Sequence, residues 1–113
     1  MPVTPKVLID PQQAPNAAAT LYTSPTAGRG TIIDKFTATN TTGAAVTFTA
    51  YLVKAAGAFG AANMVISVQS IAANATYTCP EVVGHVLNAG DFISVVASAA
   101  ASITVRASGR ELT

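Results

Sequence analysis

Apolar and polar side chains alternate along most of this chain. The clearest run is Val46-Thr47-Phe48-Thr49-Ala50-Tyr51-Leu52-Val53-Lys54. In it Val46, Phe48, Ala50 and Leu52 share one parity, and Thr47, Thr49 and Tyr51 share the other. A period of two marks a β-strand with one face in a core and one face outside it. With Gly, Pro and Asn clusters as boundaries, the same reading predicts strands over 18–23, 31–40, 45–54, 64–70, 75–79, 92–98 and 103–107. Residues 108–113 extend the last of these, and 81–87 suit either one helical turn or a short strand.

Apolar spacing at the helical period persists nowhere, and the connections are too short for crossover helices, which excludes a parallel βαβ fold. Seven or eight short strands at intervals of about ten residues predict an all-β fold, an antiparallel β-sandwich. Jelly-roll and immunoglobulin-like topologies both fit. The expected core is Leu21, Ile32, Phe36, Val46, Phe48, Leu52, Ile66, Val68, Tyr77, Ile93, Val95, Ile103 and Val105. Asp34 shares the parity of Ile32 and Phe36. An unpaired buried carboxylate is costly, so a bulge or strand end is expected there, or else a partner such as Arg106 or Lys35.

Residues 1–16 stand apart from the sandwich domain at 17–113. Pro2, Pro5, Pro11 and Pro15 bar a helix and a central strand. The expectation is an extended arm that lies on a neighbouring subunit, with Val7-Leu8-Ile9 as its apolar anchor.

Composition sharpens this picture. The length of 113 residues suits one domain. Half the residues are hydrophobic, yet 23 are Ala, 6% are aromatic and none is Trp, so Ile, Val and Leu must build most of the core. Only 10% are charged and the net charge is +1, which provides no long-range field for nucleic acid or an anionic membrane. The outward strand faces therefore carry hydroxyls and small groups, surfaces that tolerate close contact with other protein. No secretory leader or bilayer-length apolar stretch is visible, so the sequons at Asn40 and Asn74 are not expected to be glycosylated.

Candidate chemistry is sparse. Cys79 is the only cysteine, which excludes an internal disulfide and a paired-cysteine metal site, and its parity with Tyr77 suggests a buried thiol. His85 is the only histidine and reads as a surface or edge imidazole rather than a base or metal ligand. Asp10, Asp34, Glu81, Asp91 and Glu111 are scattered, and Gly90-Asp91 reads as a strand-entry turn rather than a calcium site. Gly28-Arg29-Gly30 lacks the pattern of a phosphate loop, and Lys6, Arg29, Lys35, Lys54, Arg106 and Arg110 do not cluster along the chain. No catalytic, cofactor-binding or metal residue is assigned, and the chain is not expected to be an enzyme.

Four phrases carry a resemblance. They are Leu21-Tyr22-Thr23-Ser24-Pro25, Thr31-Ile32-Ile33-Asp34-Lys35-Phe36-Thr37-Ala38-Thr39-Asn40, Leu87-Asn88-Ala89-Gly90-Asp91-Phe92-Ile93-Ser94, and Ala107-Ser108-Gly109-Arg110-Glu111. Across residues 19–112 this order resembles small all-β virion structural proteins of tailed bacteriophages, above all the capsid decoration (cement) proteins. The resemblance implies a non-enzymatic protein made in the host cytoplasm and carried on the capsid exterior. It implies the major capsid protein and copies of itself as partners, as a homo-oligomer (trimer or dimer), with no nucleic acid, membrane or cofactor. Val7, Leu8, Ile9, Arg29 and Phe59 are the candidate subunit or capsid contacts. The alternative is a module of a tail or head fibre that contacts a host surface glycan, with Tyr22, Tyr51 and Phe59 as its platforms.

Overall fold

The computed structural model describes residues 3–112. Within them the chain forms nine strands: β1 (Val3–Gln13), β2 (Ala19–Thr23), β3 (Gly30–Asn40), β4 (Val46–Val53), β5 (Met64–Ile71), β6 (Thr76–Tyr77), β7 (Val86–Leu87), β8 (Phe92–Ala97) and β9 (Ile103–Leu112). A single 3₁₀ turn, Ala61–Asn63, precedes β5. The alternating pattern predicted β2 to β5, β8 and β9 to within about two residues at each end. The ambiguous stretch 81–87 is a turn that ends in the two-residue strand β7.

Two antiparallel sheets face each other, as a β-sandwich. The first runs β1-β9-β3-β6, with β7 beside β6 on the same flank of β3, and the second runs β2-β8-β4-β5. The pairings β1–β9, β2–β8, β3–β6/β7 and β4–β5 nest one inside another and alternate between the sheets. The chain is thus a long hairpin rolled onto itself, the jelly-roll arrangement. The immunoglobulin-like order is not the one adopted.

The core fills the space between the sheets. Phe36 from β3 and Phe48 from β4, both fully buried, meet across it with ring centroids 6.2 Å apart. Ile33, Ile66, Ile93, Val95, Ile103 and Val105 surround them. Five of the expected core positions differ, and irregular ladders explain most of them. A register shift at Thr20/Tyr22 turns Tyr22 inward and leaves Leu21 half-buried. A shift at Ile33/Lys35 puts Ile33 rather than Ile32 in the core. That is the bulge expected at Asp34. A shift between Phe48/Ala50 leaves Val68 61% exposed with φ of 47°. Leu52 and Tyr77 are only partly buried, near the rim.

The N-terminal stretch is not an arm apart from the domain. Over Val3–Gln13 it is the edge strand of the first sheet, paired antiparallel with β9. The prolines exclude only a central strand, because an edge strand leaves alternate N–H groups without a ladder partner anyway. The Ala14 N–H still donates to Ile103 O of β9 at 2.7 Å, and the chain then crosses to the second sheet, where Pro15 O accepts from the Ala97 N–H of β8 at 2.8 Å.

Candidate interaction surface

Cys79 and Asp91 are held in structural roles. Cys79 is fully buried, and burial, helped by the Glu81 carboxylate, pushes its thiol up to about 12. A thiol held protonated at neutral pH is a poor nucleophile. His85 and Asp91 line the same cleft of about 340 Å³ between the rims of the two sheets. The His85 side chain makes no hydrogen bond among the described residues. Asp91 is committed elsewhere: its carboxylate accepts from the Ala55 N–H at 2.9 Å and the Asn88 N–H at 3.0 Å, and pairs with Lys54 at 3.3 Å. Burial raises its pKa, but those two N–H donors and the ammonium outweigh burial and hold it below the ordinary value. Asp91 is a latch that joins two loops.

A second polar cluster ties the sheets at one end. The Tyr22 hydroxyl donates to the Glu111 carboxylate at 2.5 Å and lies 2.9 Å from the Thr31 hydroxyl, which in turn meets Ser24 at 2.8 Å. Lys6 of β1 reaches Glu111 at 3.4 Å. Burial and the Glu111 carboxylate push the Tyr22 phenol up to about 12. Among the described residues no buried side-chain nitrogen or oxygen lacks a partner.

The surface with uncommitted groups is the outer face of the β1-β9-β3 sheet. Alternation along β9 sends Arg106, Ser108, Arg110 and Leu112 outward and Val105, Ala107, Gly109 and Glu111 inward. Cross-strand register then sets the rows. Pro5, Arg110, Ile32 and Val86 form one row, Val3 and Leu112 stand beside it, and Val7 and Ser108 follow. Val3, Val7 and Val86 are 51%, 38% and 59% exposed and Ile32 and Leu112 half-buried, so this end of the face is an apolar strip crossed by Arg110. The bulge in β3 places both Asp34 and Lys35 outside. Asp34 accepts a bidentate pair from Arg110, both contacts at 2.9 Å. Further along, Gln13, Thr104, Thr39 and Thr76 make a hydroxyl-rich margin in which Thr39 and Thr76 bond at 2.9 Å.

The predicted contact residues divide. Val7 lies on this face. Leu8 and Ile9 are 5% and 1% exposed in the chain's own core, so they do not serve as an anchor on a neighbour. Arg29 is exposed in the β2–β3 turn, which its backbone N–H ties to Leu112 O at 2.7 Å. Phe59 is half exposed and packs on Tyr51 with ring centroids 5.4 Å apart, in the loop that covers the outer side of β4. Ile32, Val86 and Leu112 escaped the sequence reading as surface residues. The outward, half-buried position of Ile32 follows from the bulge, whose signal was Asp34 at a core parity.

Comparison with protein-family models, with curated proteins and with solved structures finds no match to this chain.

Proposed function

We propose that this chain is a non-enzymatic structural protein of a phage virion, one that decorates the capsid by burying the outer face of its β1-β9-β3 sheet against other subunits. The observation that carries this reading is the apolar strip of Val3, Pro5, Val7, Ile32, Val86 and Leu112 on that face. It lies in a molecule whose thiol and inter-sheet polar groups are already committed. The jelly roll is frequent in viral capsid proteins, which supports the reading by analogy of fold alone.

The face serves better than the edge. β1 offers the longest free edge, but it carries Pro5, Pro11, register shifts at Val7/Ile9 and Ile9/Gln12, and the charges of Lys6 and Asp10. Each of these discourages strand addition. Covering the three exposed valines contributes about 2–4 kcal/mol. That is well below the roughly 8 kcal/mol of a micromolar complex, so one copy binds weakly and a closed oligomer engaging several sites at once is required. The fibre reading is less well supported. Tyr22 is buried and bonded to Glu111, and Tyr51 lies under Phe59, so two of its three aromatic platforms are occupied.

Co-sedimentation of the purified protein with capsid shells lacking it, followed by electron microscopy of the decorated particle, tests the proposal. Density on the shell with the β1-β9-β3 face inward is expected. A monomer that ignores shells, or density confined to the tail, refutes it.

A further inference from the structure

We propose that the outer face of the β3–β9 ladder, at Lys35, Thr37, Arg106 and Ser108, is a docking site for a carboxylate-bearing segment of a partner protein. The proposal rests on the structural reading above and names the chemistry of the partner.

The site is a product of register. Lys35 pairs with Ser108 and Thr37 with Arg106 on adjacent antiparallel strands. Phe36 and Ala38 on β3, and Val105 and Ala107 on β9, point into the core, so all four site residues point out. Residues directly opposite on such strands stand about 4.5–5.5 Å apart. Two cations and two hydroxyls thus surround a shallow depression of about 360 Å³. The bulge at Ile33/Lys35 decides where the neighbouring acid goes. A regular strand that kept Phe36 buried would also send Lys35 outward but would turn Asp34 into the core. The bulge instead exposes Asp34, which engages Arg110 and leaves Lys35 and Arg106 with no ion pair among the described residues.

Charge complementarity selects the occupant. Lys6, Lys54 and Arg110 are each paired with a carboxylate of this chain, whereas Lys35 and Arg106 are not. Asp10 stands opposite Arg106 across the irregular part of β1, but no ion pair joins them. A second copy is a poor source of acid, because Asp34, Glu81, Asp91 and Glu111 are engaged by Arg110, Tyr77, Lys54 and Tyr22, which leaves Asp10 as a single exposed carboxylate beside that copy's own Arg106. The row structure of the face carries no aromatic ring for a base or sugar to stack on, and two cations make a small footprint for a nucleic acid. The exposed apolar strip lies on the same face. A protein segment that places carboxylates beside apolar side chains matches both features, and the hydroxyls of Thr37 and Ser108 add donors to the carboxylate oxygens.

The test uses hexaglutamate peptide as probe, with hexalysine, inorganic phosphate and an oligothymidine as comparators, followed by amide chemical shifts at low salt. Hexaglutamate should bind weakly and shift residues 35–37 and 106–108. Binding should weaken with salt and fall about tenfold in Lys35→Ala/Arg106→Ala. Arg29→Ala should bind as the parent does. Both altered side chains are exposed, and an unchanged urea midpoint verifies the fold. No binding, shifts elsewhere, equal binding by the double variant, or tighter binding of phosphate or oligothymidine through these residues overturns the proposal. Shell sedimentation separates the two claims. Hexaglutamate binding without shell binding sinks the decoration reading alone, and shell binding untouched by Lys35→Glu/Arg106→Glu sinks this one alone.

Discussion

Replacing Gly109 with alanine should be among the most damaging single-methyl changes in this protein. Gly109 lies in the middle of β9, between β1 and β3, on the inward parity. A Cβ built there meets the Ile32 carbonyl oxygen at 2.1 Å, the Ile32 carbonyl carbon at 3.1 Å and Leu8 Cδ1 at 3.0 Å. Leu8 can rotate, but the Ile32 carbonyl is backbone, held at the edge of the bulge in β3. Relief requires β3 and β9 to part by about 1 Å beside the bulge, against the close packing of the core. Overpacking of this kind typically costs about 1–3 kcal/mol, and one or two stretched ladder bonds add about 0.5–1.5 kcal/mol each. Reduced freedom of the unfolded chain returns about 0.4–1 kcal/mol. The expected loss is about 3 kcal/mol, which lowers a urea midpoint by roughly 1–3 M for a domain of this size. Gly43→Ala is the matched control, since nothing lies within 4 Å of its added methyl; it should move the midpoint little. Equal midpoints for Gly109→Ala and the parent would refute the account of the bulge given above.

Further outcomes follow from the same structure. Tyr22 and Cys79 have pKa values raised from 10.0 and 9.0 to about 12, so the folded state holds both protons more tightly than the unfolded chain. Their stabilisation is intact below pH 9 and drains away as pH climbs to about 12. Urea melts across that range should show it, with Cys79→Ala removing the onset nearest pH 9. Asp91 behaves oppositely: its contribution is present above pH 3.8 and is lost as pH falls through its lower folded value. Asp91→Ala, which strands the Ala55 and Asn88 N–H groups, should cost about 2–4 kcal/mol at pH 7, and a thermal shift of under 2 °C would contradict the latch. Val68 is a β-branched residue at φ of 47°, exposed, with its N–H bonded to Thr49 Oγ1. Val68→Gly should stabilise by about 1 kcal/mol, and destabilisation in the same melt would show that its side chain has a packing role.

Local rhythm made much of this fold legible. In β4 the alternation put Val46, Phe48 and Ala50 in the core, but the outer parity is buried too at Thr49, Tyr51 and Val53, with Tyr51 packed under Phe59. The bulge could be read from one acid at a core parity. Where the ladder slips without such a flag, as at Leu21 and Val68, the pattern continued through the irregularity and put the wrong residue inside. The N-terminal strand was missed for a different reason. Proline argues against a central strand, and nothing local tells an edge position from an arm. Leu8-Ile9 reads as an anchor either way, and only the three-dimensional pairing with β9 decides that the anchorage is internal.

The same distinction explains the surface. Basic residues that look dispersed along the chain become neighbours because β3 and β9, the third strand and the last, lie side by side in a rolled hairpin. Lys35 and Arg106 meet in the regular register that follows the bulge. The bulge thus absorbs Asp34 while keeping both Ile33 and Phe36 inward, and it turns Asp34 out to engage Arg110, so that Lys35 and Arg106 stand over a hydroxyl-lined depression with no ion pair among the described residues. Deleting Asp34 should therefore do more than remove a charge. The deletion would close the bulge and restore regular alternation with no change of face, Ile33 staying inward opposite Gly109 and Lys35 outward opposite Ser108. The close approach of the Ile32 carbonyl to Gly109 should relax as the bulge closes. Gly109→Ala should then be better tolerated in the Asp34 deletion than in the parent. A double-mutant cycle reads that coupling directly, and strict additivity of the two changes would show that the bulge and the glycine are independent.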